Sequence, residues 1–465
     1  MPTPLVAAPG RLQAAERPCT ARRRWSIATL AALATAGLAA CGGGDDAPRI
    51  ERFDAVGAAL VGERAAMTAT FSGGSGRVEP EIGTVRSGEP FDSAVLDRER
   101  SYTLVVESPG RPAARRTLTL TPRFRDRHVV QPAGLGVQAF AAVALADGTP
   151  LLVGGSRGGP AMSTAVDRWD PALQRFRTIA HLEHGRAGHQ AVRLLAGPHA
   201  GRVLVVGGYA GLPEQSPAEL VDPQTGAVGA SGTPVRVRYE HALVALRDGR
   251  ALVVGGIGRD DLEIWDPASG QFRVVAARMR HERRMPAAAQ LADGRVLIAG
   301  GLHDGAVDVP AELFDPATET FLPVTSVADE RRYGDRAHLL SDGQVLLVGG
   351  EQQQQQGEPR PAATALRYDP QARTLVRDRA YPVPLARAAS VLLPDDRVLL
   401  FGGQTPAEAA SAGTLSFGRD AVRTLAPMPQ PRRLHAALRL ADGRILLFGG
   451  DDGHFEAVTP VLVYD

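Results

Sequence analysis

Short apolar runs recur along most of this chain, and each of them ends at a pair of glycines. The pairs are Gly154-Gly155, Gly207-Gly208, Gly255-Gly256, Gly300-Gly301, Gly349-Gly350, Gly402-Gly403 and Gly449-Gly450. Successive pairs are 53, 48, 45, 49, 53 and 47 residues apart. A fixed period of this size is typical of repeat architectures. The pattern therefore predicts a structural unit of about fifty residues, copied seven times.

Each copy predicts an antiparallel sheet of four strands. A turn dipeptide such as Asp248-Gly249 separates two apolar runs, Ala242 to Leu246 and Ala251 to Val254, and Asp-Gly in this setting indicates a β-hairpin. A third run ends in an apolar residue followed by Asp-Pro, as in Trp265-Asp266-Pro267, because proline cannot continue a ladder. A fourth run often begins with phenylalanine five residues later, as at Phe272.

Radially repeated four-stranded sheets form a β-propeller. The Gly-Gly pair, the apolar-Asp-Pro turn and the later aromatic residue resemble the Kelch repeat, so we expect a seven-bladed Kelch-type β-propeller over residues 122–465. The sixth copy is degraded at Ser416-Phe417-Gly418, and six blades are the alternative if that copy is an insertion. The last copy stops after three strands, so we expect residues 123–130 to supply its fourth strand and close the ring.

The N-terminus resembles a bacterial lipoprotein signal. Arg22-Arg23-Arg24 precede an apolar stretch, and Cys41 follows Leu38-Ala39-Ala40. The resemblance implies a signal peptide over residues 1–40, lipidation at Cys41 and a flexible tether over residues 41–49. A buried helix or an uncleaved anchor is the alternative. By resemblance to lipoprotein sorting in two-membrane bacteria, Gly42 instead of aspartate after the cysteine favours the outer membrane. The expected location is therefore the bacterial cell envelope, with the lipid anchor at the outer membrane or in the periplasm.

Residues 50–121 have a different pattern of alternating runs, including Ala66 to Phe71 and Tyr102 to Val106. They resemble the small immunoglobulin-like β-sandwiches of bacterial surface proteins. A sandwich followed by a Kelch propeller also resembles galactose oxidase, whose copper site needs a cysteine linked to a tyrosine. No cysteine follows Cys41, so that chemistry is excluded, and we expect no cofactor and no metal.

Charge excludes one class of partner. The formal net charge is +1, from 52 basic and 51 acidic residues, so no strong field attracts nucleic acid. The sequence also lacks a nucleotide-binding loop, a Gly-x-Ser-x-Gly elbow and a His-Glu-x-x-His motif.

Arginines and histidines recur at fixed places just ahead of the first strand of a copy. The candidate ligand-binding residues are Arg186, Arg238, Arg283, Arg332, Arg432, His189, His241 and His435. We expect them on the face that carries the Gly-Gly pairs, since antiparallel strands bring these positions to the same end. In Kelch substrate adaptors, arginines at this place contact acidic peptides. The alternative is that each arginine pairs with an acid such as Glu240, Glu282 or Asp335 and holds the sheets together, while the histidines hydrogen-bond to neighbouring strands.

The sequence thus favours a lipid-anchored envelope protein that binds a partner protein, peptide or glycan, acidic ones included, through this face. The alternative is a carbohydrate-active enzyme resembling the secreted Kelch epimerases that act on sialic acid. No motif singles out an acid–base pair for that chemistry. A purely structural role in the envelope is the third possibility.

Overall fold

The chain forms β-strands and no helix within the part that a computed structural model describes, which is residues 47–131, 135–157, 161–209, 217–303, 310–326, 331–354 and 358–465. Cys41 and the predicted signal and tether up to residue 46 lie outside these residues. No helix of the described part is long and apolar enough to cross a membrane.

Two small sheets form the N-terminal part. Its strands are β1 Arg49–Val56, β2 Arg64–Ser72, β3 Ser75–Glu79, β4 Gly83–Val85, β5 Pro90–Val95, β6 Arg100–Glu107 and β7 Ala114–Leu120. They pair in the orders β1-β2-β5 and β4-β3-β6-β7. Alternate side chains of both sheets, among them Phe53, Met67 and Tyr102, bury a shared apolar core, as period-2 patterning requires.

Seven further sheets follow, and we number them in chain order. Sheets 1 to 3 comprise β9 Ala141–Ala144, β10 Pro150–Val153, β11 Ala165–Asp170 and β12 Arg175–His181; β13 Gln190–Arg193, β14 Val203–Val206, β15 Glu219–Val221 and β16 Val228–Ala230; β17 Ala242–Ala245, β18 Ala251–Val254, β19 Leu262–Asp266 and β20 Gln271–Val274. The strand β8 His128–Val130 precedes them.

Sheets 4 to 7 complete the series. They comprise β21 Ala287–Gln290, β22 Val296–Ala299, β23 Glu312–Asp315 and β24 Thr320–Pro323; β25 Thr325–Ser326, β26 Arg332–Leu339, β27 Val345–Gln352, β28 Arg360–Asp369 and β29 Thr374–Leu385; β30 Ala389–Leu392, β31 Val398–Phe401, β32 Thr414–Phe417 and β33 Val422–Leu425; β34 Ala436–Arg439, β35 Ile445–Phe448 and β36 Leu462–Tyr464. The sixth copy therefore forms a sheet of its own, β30-β31-β32-β33.

The first strands of the sheets contact one another in a closed series. Strand β9 contacts β13, β13 contacts β17, β17 contacts β21, β21 contacts β26, β30 contacts β34, and β34 returns to β9. His338 of β26 and Ser390 of β30 are joined by a hydrogen bond of 2.8 Å between Nε2 and Oγ. Buried apolar clusters lie between neighbouring sheets, for example between sheets 2 and 3. The fold is thus all-β and propeller-like, with the first strands around a central channel.

Strand β8 closes the series, as the sequence predicts. It pairs antiparallel with β36, with Val129 opposite Val463. Tyr464 donates from its hydroxyl to Asp126 at 2.9 Å, and Arg127 binds the Asp465 carboxylate at 2.8 Å. Segments more than 300 residues apart in sequence are joined here, so the closure depends on tertiary contacts.

Candidate functional site

The recurring arginines lie at the channel mouth, the end of the channel that carries the Gly-Gly pairs, and all five are buried. In sheet 3, Arg238 donates from Nη1 to the Gly255 carbonyl at 2.7 Å, from Nε to Glu263 at 2.9 Å and from Nη2 to Asp261 at 2.8 Å. Arg186, Arg283 and Arg332 likewise donate to the carbonyl of the first glycine of their own sheet's pair. Each of these side chains therefore joins strands of its own sheet through hydrogen bonds.

The backbone of the same arginines binds the preceding sheet. The N–H of Gly208 donates to the Arg238 carbonyl at 2.9 Å, and that of Gly256 donates to the Arg283 carbonyl at 2.8 Å. The same bond recurs from Gly155, Gly301 and Gly403 to Arg186, Arg332 and Arg432. Each arginine thus connects two sheets, which is the structural alternative that the sequence left open.

The acidic partners differ from those that spacing suggested. Asp335 does pair with Arg332, but Glu240 pairs with Arg284, and Glu282 contacts His303 at 3.2 Å. The carboxylates that bind Arg186, Arg238 and Arg283 come from the third strand of each sheet, at Glu219, Glu263 and Glu312. Burial lowers the pKa of Arg186 and Arg283, and these carboxylates act in the opposite direction.

The predicted histidines are buried between neighbouring sheets without the hydrogen bonds that the sequence suggested. Within the described residues, neither ring nitrogen of His241 or His435 has a partner, and His189 faces the Val153 backbone without a well-aligned bond. Burial, reinforced by the adjacent Arg186 and Arg238, lowers the pKa of His189 and His241 to about 3. The imidazoles are neutral, and they pack against glycines between neighbouring sheets.

A different set of side chains is exposed to solvent at the channel mouth. Tyr209, Tyr239 and Phe455 are 57%, 41% and 77% exposed, and they are the exposed aromatic residues of the described part. Arg433 lies 5.3 Å from the Phe455 ring and binds Asp451 at 2.8 Å. Exposed aromatic residues beside an arginine are typical of binding surfaces.

Arg336 is the residue that the sequence reasoning missed. It lies in β26 opposite Val348. The equivalent position of the other sheets, opposite the residue just before the Gly-Gly pair, holds Ala141, Gln190, Ala242, Ala287, Ala389 and Ala436. Aligning the copies four residues beyond the recurring arginine would have revealed this one cation in a row of mostly alanines.

The Arg336 guanidinium faces the channel. Its strand is in the innermost series, and the side chain is exposed. It has no hydrogen bond or ion pair with any residue of the described part, whereas Glu240, Glu351 and Asp451 at the mouth bind Arg284, Arg387 and Arg433. The surrounding protein lowers the pKa of Arg336, and no carboxylate acts in the opposite direction. An accessible, unpaired guanidinium with small neighbours is suited to receive an anionic group.

Other chemistry at the channel is sparse. Burial and then Arg336 lower the pKa of His338 to about 4, so its contact with Ser390 involves a neutral imidazole at pH 7. The described residues contain no group of three or more histidine, cysteine, aspartate or glutamate side chains that could hold a metal ion.

Comparison with known proteins gives a structural likeness only. No family model and no curated protein matches the sequence. Among solved structures, the structure of YjhT is similar with a TM-score of 0.48 and 14% identity, over 64% of this chain and 99% of that chain. The strand pairing and the channel define an all-β protein of the propeller type.

Proposed function

We propose that this chain is a lipid-anchored protein of the bacterial cell envelope that binds a ligand with an anionic group at the channel mouth. The observation that carries the proposal is Arg336, an exposed guanidinium that has no partner within the described residues and projects where most sheets have alanine. Tyr209, Tyr239 and Phe455 supply aromatic surface on the same face. A partner protein, an acidic peptide or an acidic glycan would suit this combination of groups.

The proposed architecture is a seven-bladed Kelch-type propeller preceded by an immunoglobulin-like sandwich over residues 50–121. Seven successive sheets, the closure by β8 and the Gly-Gly contacts between sheets support the propeller. The pairing orders β1-β2-β5 and β4-β3-β6-β7 around one core support the sandwich.

The recurring arginines are not the proposed ligand contacts. Arg186, Arg238, Arg283, Arg332 and Arg432 are at most 2% exposed, so a ligand at the mouth would meet their neighbours rather than their guanidinium groups. Their substitution would loosen the contacts between sheets and change binding indirectly.

An enzyme acting on an acidic sugar is the second candidate, because Arg336 could hold a carboxylate. An acid–base pair beside it would be required. Within the described part, Glu240, Glu351 and Asp451 are each engaged by arginine, and His338 is held neutral, so the binding function is supported better.

Arg336 can be tested with substitutions that have precedents in the other sheets. Arg336→Ala and Arg336→Gln copy Ala436 and Gln190, so both should fold. A screen of the full chain should pair each acidic ligand with its neutral counterpart, such as glucuronate with glucose and a glutamate peptide with a glutamine peptide. We expect a salt-sensitive preference for the acidic member and a loss of about 10- to 100-fold in affinity in both variants, measured by calorimetry.

The matched control is Arg86→Ala, which removes an exposed arginine of the N-terminal part. It should leave the affinity unchanged. Equal binding of acidic and neutral members, or an unchanged affinity in both Arg336 variants, would contradict the proposed role of Arg336.

The proposed anchor predicts a change of location. Cys41→Ser removes the thiol that would carry the lipid. We expect the variant to move from the membrane fraction to the soluble fraction or to remain as an unprocessed precursor, because the hydrophobic acyl chains would be missing. Cell fractionation with immunoblotting measures this, with Cys19→Ser as the control that should not alter the distribution. Retention of a processed Cys41→Ser protein in the membrane would contradict the anchor.

A further inference from the structure

The recurring arginine and its carboxylate occupy two fixed positions of the repeat. The carboxylate position is the third-strand residue opposite the second residue before the Gly-Gly pair. In sheets 1 to 7 it holds Asp167, Glu219, Glu263, Glu312, Leu366, Leu415 and Leu462. The arginine position holds Val137, Arg186, Arg238, Arg283, Arg332, Leu385 and Arg432.

Where one member of the pair is missing, the chain usually supplies a replacement. In sheet 1 the position lacks arginine, and Asp167 binds Arg157 and accepts from the Thr178 hydroxyl at 2.6 Å. In sheet 5 the carboxylate position is Leu366, and Asp335 binds Arg332 instead. In sheet 6 both positions are leucine, so neither position carries a charge.

Among the described residues, the arginine of sheet 7 has no carboxylate partner. Arg432 is 0% exposed, and Leu462 takes the place of the acid. Nη2 donates to the Pro460 carbonyl at 3.0 Å, while Nε and Nη1 are buried without a partner in the described part. Burial alone lowers the pKa of Arg432 to about 10, a value that leaves the group charged at pH 7.

The surroundings of Arg432 are electropositive. Both Arg432 and Arg336 lower the pKa of His435, and Arg432 also lowers that of His128. A buried charge without a counterion is strongly unfavourable. Unsatisfied buried donors in native proteins commonly mark a bound water or ion. A neutral water would satisfy the hydrogen bonds but leave the charge uncompensated.

We infer that sheet 7 holds a small monovalent anion such as chloride beside the Arg432 guanidinium, in the role that the carboxylate has in sheets 2 to 4. The anion accepts hydrogen bonds from Nε and Nη1 of Arg432. Leu462, at the position that holds the acid in sheets 2 to 4, is itself buried, so only a small anion would fit beside it. The proposed anion contact is Arg432, whereas the proposed ligand contact is Arg336.

The test is the melting temperature of the full chain at constant ionic strength, with chloride replaced stepwise by gluconate. We expect chloride and bromide to raise the melting temperature by about 2–4 °C relative to gluconate and sulfate. A crystal grown in bromide should show anomalous density beside Arg432. The same melting temperature in all salts, and no anomalous density, would mean that water fills the place and would overturn the inference.

Two variants separate the site from general salt effects. Leu462→Glu restores the acid of sheets 2 to 4 and should raise the melting temperature in gluconate while abolishing the response to chloride. Leu415→Glu places an acid at the same position of sheet 6, where Leu385 stands instead of arginine. It should lower the melting temperature and keep the chloride response. A chloride response that persists in Leu462→Glu would overturn the inference as well.

Discussion

Gly207→Ala is expected to destabilise the protein by about 4 kcal/mol, whereas the equivalent Gly349→Ala should cost only about 1 kcal/mol. Both glycines are the first of their pair and have positive φ angles, +68° and +74°. A Cβ atom on Gly207 would lie 2.4 Å from the Arg238 carbonyl oxygen and 2.7 Å from Cε1 of His241. A Cβ atom on Gly349 would meet nothing within 4 Å.

The two substitutions therefore separate backbone strain from crowding. Alanine in the left-handed region costs about 1–2 kcal/mol at either site. At Gly207 the methyl group must also push sheet 3 away from sheet 2, and this would weaken the bond from Gly208 to Arg238. Urea denaturation of the two variants measures the difference. Equal losses at both sites would show that the glycines are needed for their φ angles alone.

Acidification is expected to destabilise the protein between pH 6.5 and about pH 3, and His241→Phe should reduce this loss. The pKa of His241 is lowered by burial and then by Arg238 to about 3, from 6.5 in an unfolded chain. A lowered histidine pKa means that the unfolded state binds the proton more readily. The stabilising contribution is therefore complete above pH 6.5 and is lost as the pH falls toward the folded pKa.

His189 has the same lowered pKa of about 3, and His435 also has a strongly lowered pKa. His189 and His241 each contribute on the order of 4 kcal/mol across this range, and His435 acts in the same direction. Phenylalanine has a precedent at this place, Phe140 of sheet 1, so His241→Phe should preserve the packing while removing one titrating group. Melting temperatures from pH 8 to pH 3.5 give the measurement.

The control for this prediction is His454→Phe, since His454 is exposed on a loop. It should leave the slope of stability against pH unchanged. The same slope in His241→Phe as in the unmodified protein would show that this histidine does not stay neutral in the folded state.

The repeat and its local structure follow from the sequence. The Asp-Gly dipeptides mark the hairpins, and the strands lie where the apolar runs predict, because turn chemistry and alternation act over a few residues. Closure by residues 123–130 was also predicted from the sequence, because the last copy lacks a fourth strand. Strand β8 supplies that strand by pairing with β36. The signal, the lipid anchor and the domain boundaries stay predictions.

The role of each recurring side chain depends on tertiary contacts. Spacing placed the arginines at the correct end of the sheets but gave no direction for their side chains. The residue two positions later adopts a left-handed conformation, with φ of 57° at Glu240 and 53° at Met285, and the chain turns there. The guanidinium groups of Arg238 and Arg283 lie inside their sheets, and their carboxylates come from a strand 25 and 29 residues further on. Within the described part, Arg336 and Arg432 have no carboxylate partner. Such pairings join residues that are distant in sequence, so the repeat pattern cannot specify which arginine stays unpaired.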